Sequence, residues 1–180
     1  VVPAYRGSAR SVLKGCSVSA ALPSEVLEAL EAQQIELPSW AFGNAGTRFK
    51  VFSTPGTPRT PEEKISDAAQ VHRVTGLAPV VALHIPWDRV DDYAALSAYA
   101  VDHGLRIGTI NSNTFQDDAY KFGSLTHVDT AVRQMAIDHH FECIDVMHQT
   151  GSRDLKIWLA DGTNYPGQGD IRGRQDRLAD

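Results

Sequence analysis

The sequence is short of cysteine, of long apolar runs and of positive charge, and each shortage excludes something. Its only cysteines, Cys16 and Cys143, lie far apart among 180 residues. They do not make a disulfide framework and fit packing roles in a reducing cytoplasm. No segment approaches the about 20 apolar residues that cross a bilayer, so no membrane partner is expected. Acidic residues outnumber basic ones, with a formal net charge of −5 and a pI of about 5.8, which argues against nucleic acid. The opening stretch "VVPAYRGSAR" lacks a charged region followed by an apolar one, so it does not read as a signal peptide. There is no internal repeat and no low-complexity tract. The chain does not start with Met, and "GDIRGRQDRLAD" stops as a helix begins. The expectation is a fragment of a longer cytoplasmic protein.

What is present is an alternation of apolar runs and helical patterns. "SEVLEALEAQQ" (24–34) reads as a helix capped by Ser24, with Leu27 and Leu30 on one face. "IELPSWAFGN" reads as an extended run ending at Gly43 and Asn44. In "TPEEKISDAAQVHRVTG", Thr60 is the cap, Pro61 the first helical residue, Glu63 the capping-box acid and Gly76 the terminator. "PVVALHI" follows as a buried strand. Asp88 is the expected cap of the next helix, with Asp91 in its first turn and Gly104 at its end. "LRIGTIN" (105–111) is a strand, and "SNTFQDDAYKFGSLTH" a long loop. A helix from about 129 to 149 shows its stripe at Val132, Met135, Ala136, Cys143, Ile144 and Met147. "DLKIWLA" (154–160) is a strand and "DGTNYPGQGD" a loop. Repeated strand–helix–strand units imply parallel strands with crossovers.

Four of these segments end in residues with chemistry: Trp40, His84, Asn111 and Trp158. In a (β/α) barrel the carboxyl ends of the strands build the active site, and a whole barrel needs about 250 residues. Four units make half of one. His84 is the foremost catalytic candidate, since a near-neutral imidazole suits acid–base work. The alternative is a core histidine with both nitrogens satisfied. Asp88 is read as orienting His84, as capping a helix, or both. Trp40, Trp87, Phe115 and Trp158 are read as walls of a pocket or as ordinary barrel core. His139, His140, Glu142, Asp145 and His148 share one helix, but not in a zincin spacing, and a solvated helix face is favoured over a metal site. "GNAGTR" (43–48) is a weak candidate for holding an anion. Asp161 could bind a metal or a hydroxyl, or cap its turn.

The stretches "SWAFGNAGTRFKVF", "KISDAAQVHRVTGLAPVVALHIPWD", "INSNTFQDDAYKFGSLTH" and "SRDLKIWLADGTNYPGQ" together resemble the xylose-isomerase-like barrel superfamily. Within it they are most similar to bacterial L-rhamnose isomerases that accept other aldoses. The resemblance covers roughly residues 37–180. It implies a (β/α)8 TIM barrel of which residues 37–180 form the first four βα units, after an N-terminal helical segment, 1–36. It implies an aldose–ketose isomerase, interconverting L-rhamnose and L-rhamnulose, working as a homotetramer with two divalent cations, commonly manganese. His84 matches a strand-end histidine that assists ring opening. Trp158 matches a pocket wall, Trp40 and Phe115 match other pocket aromatics, and Trp87 joins them as a substrate-facing ring. Phe49 matches a phenylalanine that reaches a neighbouring subunit's site. In that superfamily the metal ligands come from later strands, so none is expected in this chain, which alone should be inactive. Two other readings stand beside it: a sugar epimerase or phosphodiesterase on the same barrel, and a non-catalytic half-barrel that binds a ligand.

Overall fold

The computed structural model describes residues 22–47, 50–162, 167 and 169–180. The first helix, α1 (Ser24–Glu31), buries none of its residues. Pro23, not Ser24, takes the N-cap position, and no side chain caps it. Ser24 is the first helical residue, because the proline's fixed backbone already sets the entry. Strand β1 (Glu36–Pro38) is shorter than the extended run the sequence suggests, and Ser39–Phe42 turn into a 3-10 helix. A hairpin of β2 (Gly46–Thr47) and β3 (Lys50–Val51) then stands off the main sheet.

Helix α2 (Pro61–Thr75) follows the punctuation of its sequence. Thr60 Oγ1 accepts from Glu63 N at 3.3 Å, and Glu63 Oε2 accepts from Thr60 N at 3.4 Å. Gly76 ends the helix at φ +72°, a conformation that suits glycine best. Pro61, Lys64, Ile65 and Ala68 form its buried stripe. Next comes β4 (Val80–Ile85), buried throughout. Helix α3 (Tyr93–Asp102) is capped by Asp92, whose side chain accepts from Ala95 N at 2.8 Å. The cap is therefore four residues later than Asp88, which is drawn inward by other partners.

Strand β5 (Arg106–Ser112) precedes the long loop, which contains a 3-10 turn at Asp118–Phe122. Helix α4 (Thr130–Thr150) starts at an Asp129 cap and ends at Gly151. Ala136, His140, Cys143, Val146 and Thr150 line its buried side, whereas Met135 is exposed. Strand β6 spans only Leu155–Lys156, so the apolar run to 160 mostly leaves the ladder. Helix α5 (Ile171–Ala179) closes the described chain.

The main sheet is parallel in the order β1-β4-β5-β6. Each strand lies beside the preceding one of the sheet, with a helix between them. This is a mixed α/β layer compatible with part of an α/β barrel. The described strands leave β1 and β6 as open edges and do not close one. Val81, Leu83 and Ile85 of β4 join Ile65, Leu96, Ile110, Cys143 and Val146 in one core beneath the helices. Each fully buried Leu or Ile there contributes about 1.5–3 kcal/mol. Strand alternation puts Val80, Ala82 and His84 on the other face. His84 thus ends β4 on the side away from the helices, level with Asn111 of β5.

Candidate functional site

His84 is 5 % exposed and surrounded by rings. Trp87 stacks on it, with centroids 3.8 Å apart and planes 17° from parallel. Trp40 meets it edge-on at 5.3 Å and Phe115 at 5.9 Å. Trp158 touches Phe115 at 5.0 Å. The residues come from four segments: the turn after β1, the tip of β4, the loop after β5 and the stretch after β6. All lie at or just past the carboxyl ends of their strands, where parallel α/β sheets place their ligands. Trp40, Trp87 and Trp158 remain exposed on their outer sides. Phe49 lies outside the described residues.

The imidazole is not a satisfied core histidine. Its Nδ1 is buried and has no hydrogen-bond partner among the described residues. Thr114 Oγ1, just past β5, is in the same condition. Buried polar atoms without partners are rare, and a water or a bound group can supply the missing partner; His72 Nδ1 on α2 is a third such atom, away from these rings. Burial holds the His84 imidazole below its ordinary titration range, against the opposing pull of the Asp88 carboxylate. The ring is therefore neutral at pH 7.

Asp88 makes no hydrogen bond to that ring. It is fully buried and ties together the ends of β1, α2 and β4. Its Oδ1 accepts from Lys64 Nζ at 2.6 Å, and its Oδ2 accepts from the Ser39 hydroxyl and from His84 N at 2.8 Å. Asp88 N donates to the His84 carbonyl in return, at 2.8 Å. The carboxylate orients the backbone of His84 and the bend carrying Trp87. The sequence did hold one signal for this pair: Lys64 interrupts the buried stripe of α2, and a buried lysine needs a carboxylate.

Two of the α4 histidines, His139 and His140, lie toward its buried side rather than on a solvated face. His140 is buried, with Nε2 3.1 Å from Ser112 Oγ, and burial lowers its pKa as well. His139 accepts from Asn113 N at 3.0 Å and meets Glu142 Oε2 at 2.9 Å. Glu142 is the i+3 neighbour of His139 on α4, but the helical spacing gave no sign of Ser112 at the end of β5 or of Asn113 in the loop after it. Asp145 and His148 are exposed, as the sequence suggested.

Asp161 is a loop anchor. It accepts from Ser124 N and Oγ at 2.7 and 2.6 Å, and from Thr126 N and Oγ1 at 2.9 and 2.8 Å. Burial alone would raise its pKa, but these four donors outweigh it and hold the carboxyl below its usual range. In "GNAGTR", Gly46 and Thr47 pair in the hairpin and Asn44 Oδ1 accepts from Thr54 N, so this stretch is occupied in shaping its own loop. Arg48 lies outside the described residues. Among the described residues no group of three or more His, Cys, Asp or Glu side chains is placed to hold a metal ion.

The arrangement is a cluster of aromatic rings around a buried histidine at the strand ends of a parallel α/β layer. Over 154 residues, 83 % of this chain, the sequence is 42 % identical to a protein of Rhizobium meliloti named a probable sugar isomerase. Over 156 residues, 84 % of the chain, it is 40 % identical to one so named in Mesorhizobium japonicum. The match spans only 36 % of the length of each of these relatives. No protein-family profile matches the chain. Among the described residues, no helix is long and apolar enough to cross a membrane.

Proposed function

We propose that this chain is the sugar-facing part of an aldose–ketose isomerase that interconverts L-rhamnose and L-rhamnulose and tolerates other aldoses. One observation carries the reading: a buried, neutral histidine with an unpartnered nitrogen, ringed by Trp40, Trp87 and Phe115 at the strand ends. The likeness to proteins named sugar isomerases supports it.

The chemistry needs such a site. Isomerisation moves hydrogen between C1 and C2 of an open-chain sugar. A pyranose must first open: the anomeric hydroxyl loses a proton, the C1–O5 bond breaks, and O5 gains a proton. A neutral imidazole near O5 can carry that proton. Flat apolar rings pack against the C–H faces of the sugar and keep water from the reacting carbons. In this reading Trp40, Phe115 and Trp158 wall the pocket, and Trp87 holds His84 in plane.

The same reading carries a pair of divalent cations, manganese above all, which polarise sugar oxygens when bound. The described residues do not fit them. Asp88 is engaged by Lys64, and Asp161 by four donors. Any such ions would be held by other residues. A cytoplasmic homotetramer also belongs to the proposal.

The test is an isomerisation assay on the protein that carries this chain, with a panel of aldoses, after chelation and after addition of manganese. Conversion of L-rhamnose to L-rhamnulose that depends on the metal is expected. Saturable sugar binding without conversion of any aldose would replace the isomerase by a binding half-barrel.

A further inference from the structure

We propose that His139 is a positioning residue: through Asn113 and Gln116 it fixes the Trp87 indole in its stack on His84. The inference rests on the site proposed above and names a residue that holds it in shape.

The loop leaving β5 reads "NTFQ" at residues 113–116. Asn113 and Gln116 close it into a tight ring. Gln116 N donates to Asn113 Oδ1 at 3.2 Å, and Asn113 Nδ2 donates to Gln116 Oε1 at 2.9 Å. The same Oε1 accepts from Trp87 Nε1, also at 2.9 Å. An indole has a single polar atom, a donor, so this one bond sets the direction of the ring. Phe115 sits in the same turn and meets both His84 and Trp87 edge-on. Whatever holds the turn therefore places two of the rings around His84.

His139 holds it from α4. Its Nε2 accepts from Asn113 N at 3.0 Å. An imidazole nitrogen that accepts carries no proton, so the proton is on Nδ1. Nδ1 faces Glu142 Oε2 at 2.9 Å, which fixes that tautomer. Cys143 Sγ also lies 3.8 Å from Nε2, a longer contact from a weak thiol donor. Glu142 in turn pairs with Arg89, two residues beyond Trp87. The bonds thus run from Trp87 through Gln116, Asn113, His139 and Glu142 back to the loop that carries Trp87.

Burial alone does not force this circuit. It borders a cleft of about 410 Å³ lined in part by Pro86, Arg89, Gln116, Met135 and His139. Gln116 and Arg89 are exposed, and water can reach the groups that pair there. The bonds hold because they are mutually aligned. His139 touches neither the sugar site nor His84 directly and acts through Asn113 and Gln116.

The test uses the indole N–H signals of the protein that carries this chain, in which these 180 residues hold three tryptophans. Trp87→Phe assigns the signal of Trp87. In Gln116→Leu that signal is expected to move upfield and its proton to exchange several-fold faster with water. His139→Leu should reproduce both changes, while the Trp40 signal stays in place. His139→Gln returns an acceptor to the place of Nε2 and should restore the original signal. If Gln116→Leu moves the signal and His139→Leu does not, the proposal fails. It also fails if His139→Gln disturbs the signal as much as His139→Leu, since the role is then one of packing. No sugar enters these measurements, so they stand apart from the fate of the isomerase reading.

Discussion

The middle of the sheet and its edges are built differently. β4 and β5 run for six and seven residues, and every one except Arg106 is buried. β1 and β6 run for three and two, half-buried or exposed. The two middle strands have a ladder partner on each side and helices over one face. An edge strand has one partner, and its apolar residues gain less by staying extended. The proposed site inherits the contrast. His84 rises from the rigid middle, whereas Trp158 is attached past β6 and is 65 % exposed. The middle can hold a reacting group in place, and the edges supply rings at its border.

The largest expected loss comes from the hub beneath the middle strands. Asp88→Ala strands the buried Lys64 ammonium and should cost about 3–5 kcal/mol in urea denaturation. Lys156→Ala, on the edge, should stay within about 0.5 kcal/mol. A loss at Asp88 no larger than that would break the contrast. Next, Leu83→Ala in β4 should cost about 2–5 kcal/mol, with a clearly smaller loss for the half-buried Leu155→Ala in β6. Equal losses would mean that the edge is packed as tightly as the centre.

Acid should separate the regions by pH. The pKa values of His84 and His140 are lowered in the fold, so the unfolded chain binds their protons first. Their contribution is fully present above the unfolded value of about 6.5 and is lost as pH falls below it. Asp161 is also lowered, and its contribution is lost only as pH falls below the unfolded carboxylate value of about 3.9. Amide exchange should therefore speed up around β4 and β5 at milder acidity than around Asp161 and α5. The reverse order would contradict the assignment. A small effect, about 0–1 kcal/mol of stability, is expected for Arg89→Ala, which removes an exposed ion pair with Glu142.

Much of the fold was legible because its signals are local. Thr60, Pro61, Glu63 and Gly76 bracket α2 as their chemistry requires, and the unbroken apolar run 80–85 is β4. Asp88 was misread because an aspartate ahead of a helix satisfies a local rule equally well at 88 and at 92. The decision came from Lys64 and Ser39, which lie far back in the chain. The run 154–160 looks like a strand, yet strand length depends on neighbours that its own residues do not encode. At the site, the placement of His84 and four rings near strand ends followed from element order. The stack of Trp87 on His84 did not, nor did Asn113 and Gln116, which resemble any polar turn former. The roles of these residues toward a sugar belong to the proposal and to its tests.

The most direct measurement is the rate of L-rhamnose isomerisation by the His84→Asn variant of the protein that carries this chain. Loss of a proton-transfer group should lower kcat by about 10²–10⁴-fold. KM and the unfolding midpoint at pH 8 should change little. A variant that opens and isomerises L-rhamnose as fast as the unsubstituted protein would contradict the account, and His84 would be a core residue after all.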